Sequence, residues 1–203
     1  MKTIGLIGGM SWESTVTYYQ IINQTIKAKL GGLHSAPLLL YSVDFAVIEE
    51  CQSRGAWDES AEILSKAARN LEQAGADYII ICTNTMHKVA PQIQKHISIP
   101  ILHIADATAD VLIDADIKNV ALLGTKYTMM QDFYKEKLIA QGIHVIVPNE
   151  EDVELVNRII YKELCLGIIS ESSRKEYQRI IENMKQNGAG GVILGCTEIG
   201  LLI

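Results

Sequence analysis

The chain predicts an open α/β fold built as two pseudo-symmetric, doubly wound lobes with parallel sheets, and three observations carry that prediction. Short apolar runs alternate with amphipathic stretches of ten or more residues along all 203 positions. The runs are continuous in Ile, Leu and Val, as strands buried on both faces are. The chain also repeats itself. Lys2-Thr3-Ile4-Gly5-Leu6-Ile7-Gly8-Gly9 is echoed by Lys118-Asn119-Val120-Ala121-Leu122-Leu123-Gly124-Thr125, an offset of 116 residues. The stretch from Gly75-Ala76 to Cys82-Thr83-Asn84-Thr85 is echoed, 113 residues later, by that from Gly188-Ala189 to Gly195-Cys196-Thr197-Glu198. Parallel strands covered by helices explain the first two observations. The third divides the chain into related lobes, expected at 1–104 and 105–203, with the crossover near Pro100 and a shared active site between them.

Taken in order, residues 3–7 form a strand and 14–29 an amphipathic helix. A second strand follows at 38–43, a helix at 60–73, and a third strand at 78–81 entered through Gly75-Ala76. Residues 101–104 and 108–115 add a short strand and a helix. The second half runs through strand 120–123, helix 128–141, strand 144–147, helices 151–164 and 172–186, and strand 192–194. No low-complexity segment or long linker interrupts it.

With 48% hydrophobic and 21% charged residues, the chain can bury a sizeable core. A net charge of −6 and no Lys/Arg cluster to neutralise phosphates argue against nucleic acid or an acidic membrane as partner. No run is long and apolar enough to span a bilayer, and the first residues lead straight into a strand rather than a signal peptide. A cytoplasmic protein with a small-molecule ligand is expected, and a homodimer is open. Cys51, Cys82, Cys165 and Cys196 show no CxxC or HxxxH spacing, so neither a metal site nor a disulfide framework is expected. Cys51 and Cys165, each inside a helix-like stretch, read as inert core thiols.

In doubly wound sheets, ligands bind beyond the carboxyl ends of the strands. Small polar residues take that place four times here: Gly8-Gly9-Met10-Ser11, Thr83-Asn84-Thr85, Gly124-Thr125 and Cys196-Thr197-Glu198. Hydroxyls and free helix N–H groups suit a carboxylate. Any one of them alone is an ordinary turn or N-cap, but four, paired by a repeat, point to a site. Gly5-x-x-Gly8-Gly9 is not the GxGxxG dinucleotide loop, and Asp44 lies well beyond the ~20 residues at which a ribose-binding acid is expected. A nicotinamide enzyme is therefore a weak alternative.

These residues resemble the Asp/Glu/hydantoin racemase family, and most closely its bacterial aspartate and broad-specificity amino-acid racemase branch. The resemblance rests on Gly8-Gly9-Met10-Ser11-Trp12-Glu13-Ser14, Cys82-Thr83-Asn84-Thr85-Met86-His87, His103-Ile104-Ala105-Asp106 and Gly195-Cys196-Thr197-Glu198, and covers essentially the whole chain. It implies an isomerase that needs no metal or pyridoxal phosphate, with two acid–base residues flanking the substrate's α-carbon. The α-proton of an amino acid is very weakly acidic, so the base must be matched by stabilisation of an enediolate-like carboxylate. By resemblance Cys196 is one acid–base residue, and Met10, Asn84, Thr85, Thr125 and Thr197 bind substrate. The position of the thiols at expected helix N-termini predicts that their pKa, ordinarily ~8.5, is drawn toward neutrality.

The chain departs from the family where the other thiol is expected. Two-cysteine members read Cys-Asn-Thr, whereas here Thr83 precedes Asn84-Thr85. The repeat gives the same register, since Thr83 is the counterpart of Cys196 and Cys82 that of Gly195. Side chains alternate faces along a strand, so Thr83 is favoured as the second catalytic residue and Cys82 as a supporting one. A bulge that restores Cys82 is the alternative. His87 reads as a group behind Thr83 that could relay its proton, and Glu198 as a residue that orients the site or caps a helix. Family members selective for aspartate carry basic residues where Ile48 and Cys165 align, which leaves the side-chain preference open among aspartate, glutamate and a broader set. The chain ends at an apolar segment where relatives continue, so a returning segment is expected to be absent. Maleate isomerase, hydantoin racemase or a non-catalytic carboxylate binder are the alternatives.

Overall fold

A computed structural model describes residues 1–203, which divide into two compact units, 1–103 and 104–203. In the first unit, β1 (Ile4–Gly8) is buried along its whole length and leads into α1 (Trp12–Leu30), β2 (Leu38–Ser42), α2 (Phe45–Ser53), α3 (Trp57–Gln73) and β3 (Tyr78–Ile81). A 3-10 turn at Thr85–Val89 and the short α4 (Ala90–Gln94) complete it. The sheet is parallel in the order β2-β1-β3, and an isolated parallel bridge between Ile79 and Ile101 extends it past β3. Of the strand expected at 101–104, only that bridge forms. Gly5 is required where β1 meets α3 and β3, because a Cβ there would lie 2.9 Å from Ile79 Cδ1 and 3.0 Å from the Ala76 Cβ.

In the second unit, α5 (Ile104–Asp114) precedes β4 (Asn119–Leu123), α6 (Lys126–Met130), α7 (Asp132–Ala140), β5 (His144–Ile146), α8 (Glu150–Lys162), a 3-10 turn at Leu164–Leu166, α9 (Glu171–Gln186) and β6 (Gly191–Leu194). The sheet is again parallel, in the order β5-β4-β6. The single helix expected over 128–141 is two helices. Gln131, at φ −91° and ψ 156°, is extended backbone that closes α6 and opens α7.

Each unit has its own core. Leu64, Ala67, Ala68 and Leu71 on one face of α3 pack in the first unit with Ile7, Ile79 and Ile81. Leu122, Leu123, Val156, Ile160, Tyr177 and Ile180 pack in the second. Each fully buried Leu or Ile stabilises the fold by roughly 1.5–3 kcal/mol relative to exposure.

The sequence echo is an echo of hydrogen bonds. α3 and α9 end alike: Gly75 and Gly188 adopt φ of 97° and 95°, and each sits in a Schellman exit. In the first, Gly75 N donates to Glu72 O and Ala76 N to Leu71 O; in the second, Gly188 N donates to Lys185 O and Ala189 N to Met184 O. The strands that follow pair in matching register, Ile4 with Tyr78 and Ile7 with Ile81 in one sheet, Val120 with Gly191 and Leu123 with Leu194 in the other. Past the last pair, Cys82 N donates to Ile7 O at 2.9 Å and Gly195 N to Leu123 O at 2.5 Å.

Candidate active site

Hydrogen bonding therefore makes Cys82 the counterpart of Gly195, and Thr83 that of Cys196, with no inserted residue in either strand end. Cys82 is fully buried and belongs to a core cluster with Ile4 and Leu6, against which Tyr18 and Ile22 of α1 pack. Burial alone pushes its thiol up to about 12. Gly195 lacks a side chain for a steric reason: a Cβ would lie 2.8 Å from Leu123 O and 3.3 Å from Leu122 Cδ1. Both residues face packed interior; Thr83, the next in its strand, is half-buried, and Cys196, the next in the other, still packs on the core of its unit.

At the end of β6, Cys196 keeps an extended backbone, with φ −138° and ψ 128°, before the 3-10 turn Thr197–Leu201. Its Sγ donates to Glu198 Oε2 at 2.9 Å, and Thr197 Oγ1 donates to the same oxygen at 2.9 Å. Glu198 is buried, at 7% exposure. Burial, and after it the charge and hydrogen bond of Glu198, push the Cys196 thiol well above its ordinary value, with the charge of Cys165 adding to the rise. Tyr177, fully buried in the same unit, is likewise pushed up by desolvation and then by the charge of Cys196.

The expectation that helix N-termini draw Cys82 and Cys196 toward neutrality is overturned. Desolvation is the largest cause at both thiols, and it sets the direction upward. Cys196 is held as the thiol, hydrogen-bonded to the buried Glu198.

In the first unit, Thr83 is half-buried and its carbonyl accepts a 2.7 Å hydrogen bond from His87 Nδ1, which fixes the Nδ1–H tautomer. His87 is itself buried, with the His103 ring 4.4 Å away at a 59° tilt. Asn84 Oδ1 is buried and has no hydrogen-bond partner. Thr85 is buried at the start of its turn. Met10 is 4% exposed and belongs to the core cluster that includes Ile7, Ile48 and Met86, which restricts any contact with substrate to its backbone. Ser11, next to it, caps α1 by accepting from Ser14 N at 3.3 Å.

In the second unit, Thr125 caps α6: its Oγ1 accepts from Thr128 N at 3.3 Å and lies 3.2 Å from Thr128 Oγ1. Ile48, in the first unit, is fully buried. No group of three His, Cys, Asp or Glu residues is arranged to hold a metal ion. No helix is long and apolar enough to cross a membrane.

Sequence reasoning missed two contacts, the bond between Cys196 and Glu198 and that from His87 to the Thr83 carbonyl. Spacing was the available signal. Two residues along a tight turn return a side chain to the residue before it, and four residues along a 3-10 turn bring a ring beneath the preceding strand end.

The Asp/Glu/hydantoin racemase family profile matches residues 7–203. Over its full length, the chain is 57% identical to a candidate Asp/Glu racemase of Yersinia pestis whose crystal structure superposes with a TM-score of 0.94, covering 89% of that chain. It is 38% identical, again over its full length, to an aspartate racemase homologue of Pyrococcus horikoshii OT3, with a TM-score of 0.84 and 88% of that chain covered. Among curated relatives it is 27% identical over 146 residues to the broad specificity amino-acid racemase RacX of Bacillus subtilis (strain 168); the match covers 72% of this chain and 63% of that protein.

Proposed function

The chain belongs to the Asp/Glu/hydantoin racemase family, and on that premise we propose that it is a cofactor-independent amino-acid racemase acting by 1,1-proton transfer at the α-carbon. The observation that carries the reading is the Cys196–Glu198 pair, a strand-end thiol whose proton is held by a buried carboxylate. Glu198 takes the Cys196 proton, and the thiolate then removes the α-proton of an L-amino acid. The electron pair of the broken Cα–H bond moves into the substrate carboxylate and gives an enediolate, for which oriented donors supply the stabilisation that a weak carbon acid needs. The Asn84 carboxamide, uncommitted within the chain, is our candidate for such a donor, and the Thr197 hydroxyl, whose hydrogen goes to Glu198, is our candidate for accepting from the substrate ammonium.

Reprotonation by Cys196 returns the L-enantiomer with a solvent-derived hydrogen. Inversion needs a proton delivered to the other face of the α-carbon, and Thr83, the register counterpart of Cys196, is the candidate. A hydroxyl is a far weaker acid than a thiol, so exchange at Cys196 outpaces inversion. Because the enantiomers have equal free energy in water, kcat/KM is the same in both directions, and the asymmetry shows only as exchange without inversion. We place the substrates among aspartate, glutamate and a broader set of amino acids. The similarity to RacX favours the broader set.

The test is incubation of the full chain with a panel of L-amino acids in heavy water, reading α-deuterium and chirality, with and without a chelator. Wild type is expected to incorporate deuterium without added metal or pyridoxal phosphate, and Cys196→Ala to incorporate none. Full exchange in Cys196→Ala, or dependence on an added cofactor, would overturn the mechanism. A protein that binds amino acids without exchanging any of them would be a carboxylate-binding protein instead.

A further inference from the structure

The two strand ends share a register but not the way their turns begin. In the second unit the 3-10 turn starts directly after Cys196, whose carbonyl accepts from the backbone N–H of Ile199 at 3.1 Å. In the first unit the turn starts after Asn84, with His87 N donating to Asn84 O at 3.0 Å. It therefore begins one residue later in the repeat, and its backbone leaves the carbonyl of Thr83 aside. A carbonyl at a partly buried strand end needs another donor. The His87 side chain supplies it, Nδ1 donating to Thr83 O at 2.7 Å. The residue 113 positions on from His87 is Gly200, where a Cβ would meet nothing within 4 Å, so the second unit places no side chain there.

We propose, on the racemase reading given above, that His87 is a positioning residue for Thr83: it aims the Thr83 hydroxyl and so governs inversion, while exchange at Cys196 does not depend on it. Thr83 N donates to Ile81 O at 2.9 Å. With its carbonyl held by His87, both peptide groups that flank the Thr83 Cα are tied, which fixes φ and ψ and with them the Cα–Cβ direction. Threonine is β-branched, so a tied backbone leaves its Oγ1 few directions. His87 is itself held, at 1% exposure, with the His103 ring 4.4 Å away at a 59° tilt. The nitrogen that meets Thr83 gives its hydrogen to a carbonyl, so the contact orients a backbone and relays no proton to the hydroxyl. Cys196 needs no such side chain, because the turn's own backbone takes its carbonyl.

The test compares His87→Asn with His87→Leu in the full chain. The two replacements share size and branching, but only Asn carries a nitrogen bonded to Cγ, where His87 has Nδ1, that can donate to the Thr83 carbonyl. An L-amino acid in heavy water is followed for α-deuterium, which reports exchange, and for chirality, which reports inversion. His87→Leu should lower inversion relative to exchange by about 10–10²-fold, the scale on which misplacement of a reacting group acts, and His87→Asn should keep the ratio within about threefold of wild type. Both are repeated with Thr83→Cys, whose stronger acid speeds inversion, and the same order is expected. Equal ratios in the two variants would overturn the proposal, whether both match wild type, as for a ring that only packs, or both fall, as for a relay that neither replacement can carry out. A loss of exchange as large as that of inversion would also overturn it, as a general loss of structure. Absence of exchange in wild type would overturn the racemase reading itself, and absence of inversion even with Thr83→Cys would take Thr83, and this role with it, out of the reaction.

Discussion

Replacing Glu198 by Gln separates the two effects that the carboxylate has on Cys196. Its Oε2 is the acceptor for both the thiol and Thr197, each at 2.9 Å. Gln keeps the shape and an acceptor oxygen but removes the charge and any ability to take a proton at neutral pH. The charge and hydrogen bond of Glu198 are two of the causes that raise the thiol, so the substitution should make Cys196 more acidic, while burial keeps it above its ordinary value. A more acidic thiol supplies more thiolate, and on that ground alone the variant would be faster. If Glu198 is the group that receives the proton, it should instead be slower by about 10²–10⁴-fold, the ordinary worth of a positioned general base. A purely structural Glu198 would show its loss mainly as stability, about 1.5–3 kcal/mol for a charge-assisted bond. The assay is α-deuterium incorporation from an L-amino acid at neutral pH, paired with the pH dependence of Cys196 alkylation in a background lacking the other three cysteines. Exchange within about threefold of wild type, well short of a lost base, would refute the role, as would a thiol titration that moves upward.

Cys82→Ala should retain exchange and cost about 1 kcal/mol of stability for a lost buried sulfur. Its folded thiol is raised from 9.0 to about 12, so the neutral form contributes stability that is fully present below 9.0 and is lost as the pH rises through about 12. Denaturation midpoints should therefore fall less steeply across that window in Cys82→Ala than in wild type. Thr83→Cys should raise inversion toward the rate of exchange, as read by chirality against deuterium in heavy water; an unchanged ratio would remove Thr83 from the reaction. Gly195→Ala forces a Cβ to within 2.8 Å of the Leu123 carbonyl and should cost about 1–3 kcal/mol by overpacking, with exchange falling as Cys196 is displaced. Unaltered denaturation would mean that this strand end is looser than its contacts indicate.

The parts of the fold set by apolar pattern were legible in the sequence. β1, β3, β4 and β6 are continuous Ile/Leu/Val runs, and the two Gly-Ala pairs announced the Schellman exits, because only glycine adopts a φ near 95° cheaply. The pairing of Thr83 with Cys196 followed from the same signals, since register in a parallel sheet is fixed by which residues must face the core. The break at Gln131 is marked by neither glycine nor proline, and the one local signal is Asp132 in the first turn that follows. Nor could the sequence show the protonation of Cys196. That depends on how deeply the sulfur is desolvated and on a carboxylate two residues away.

The ends of β3 and β6 assign neighbouring residues to different tasks. Cys82 and Gly195 answer to the core, where an added or lost atom changes packing, whereas Thr83, one step further, is half-buried and outside the core clusters; Cys196 still packs on the core of its unit. The pleat of the first strand end thus leaves position 83 less tightly packed than position 82. Thr83→Cys should therefore leave the denaturation midpoint close to that of wild type, whatever it does to exchange. A half-buried strand end next to a fully buried one is where a side chain can be replaced while both cores stay as they were.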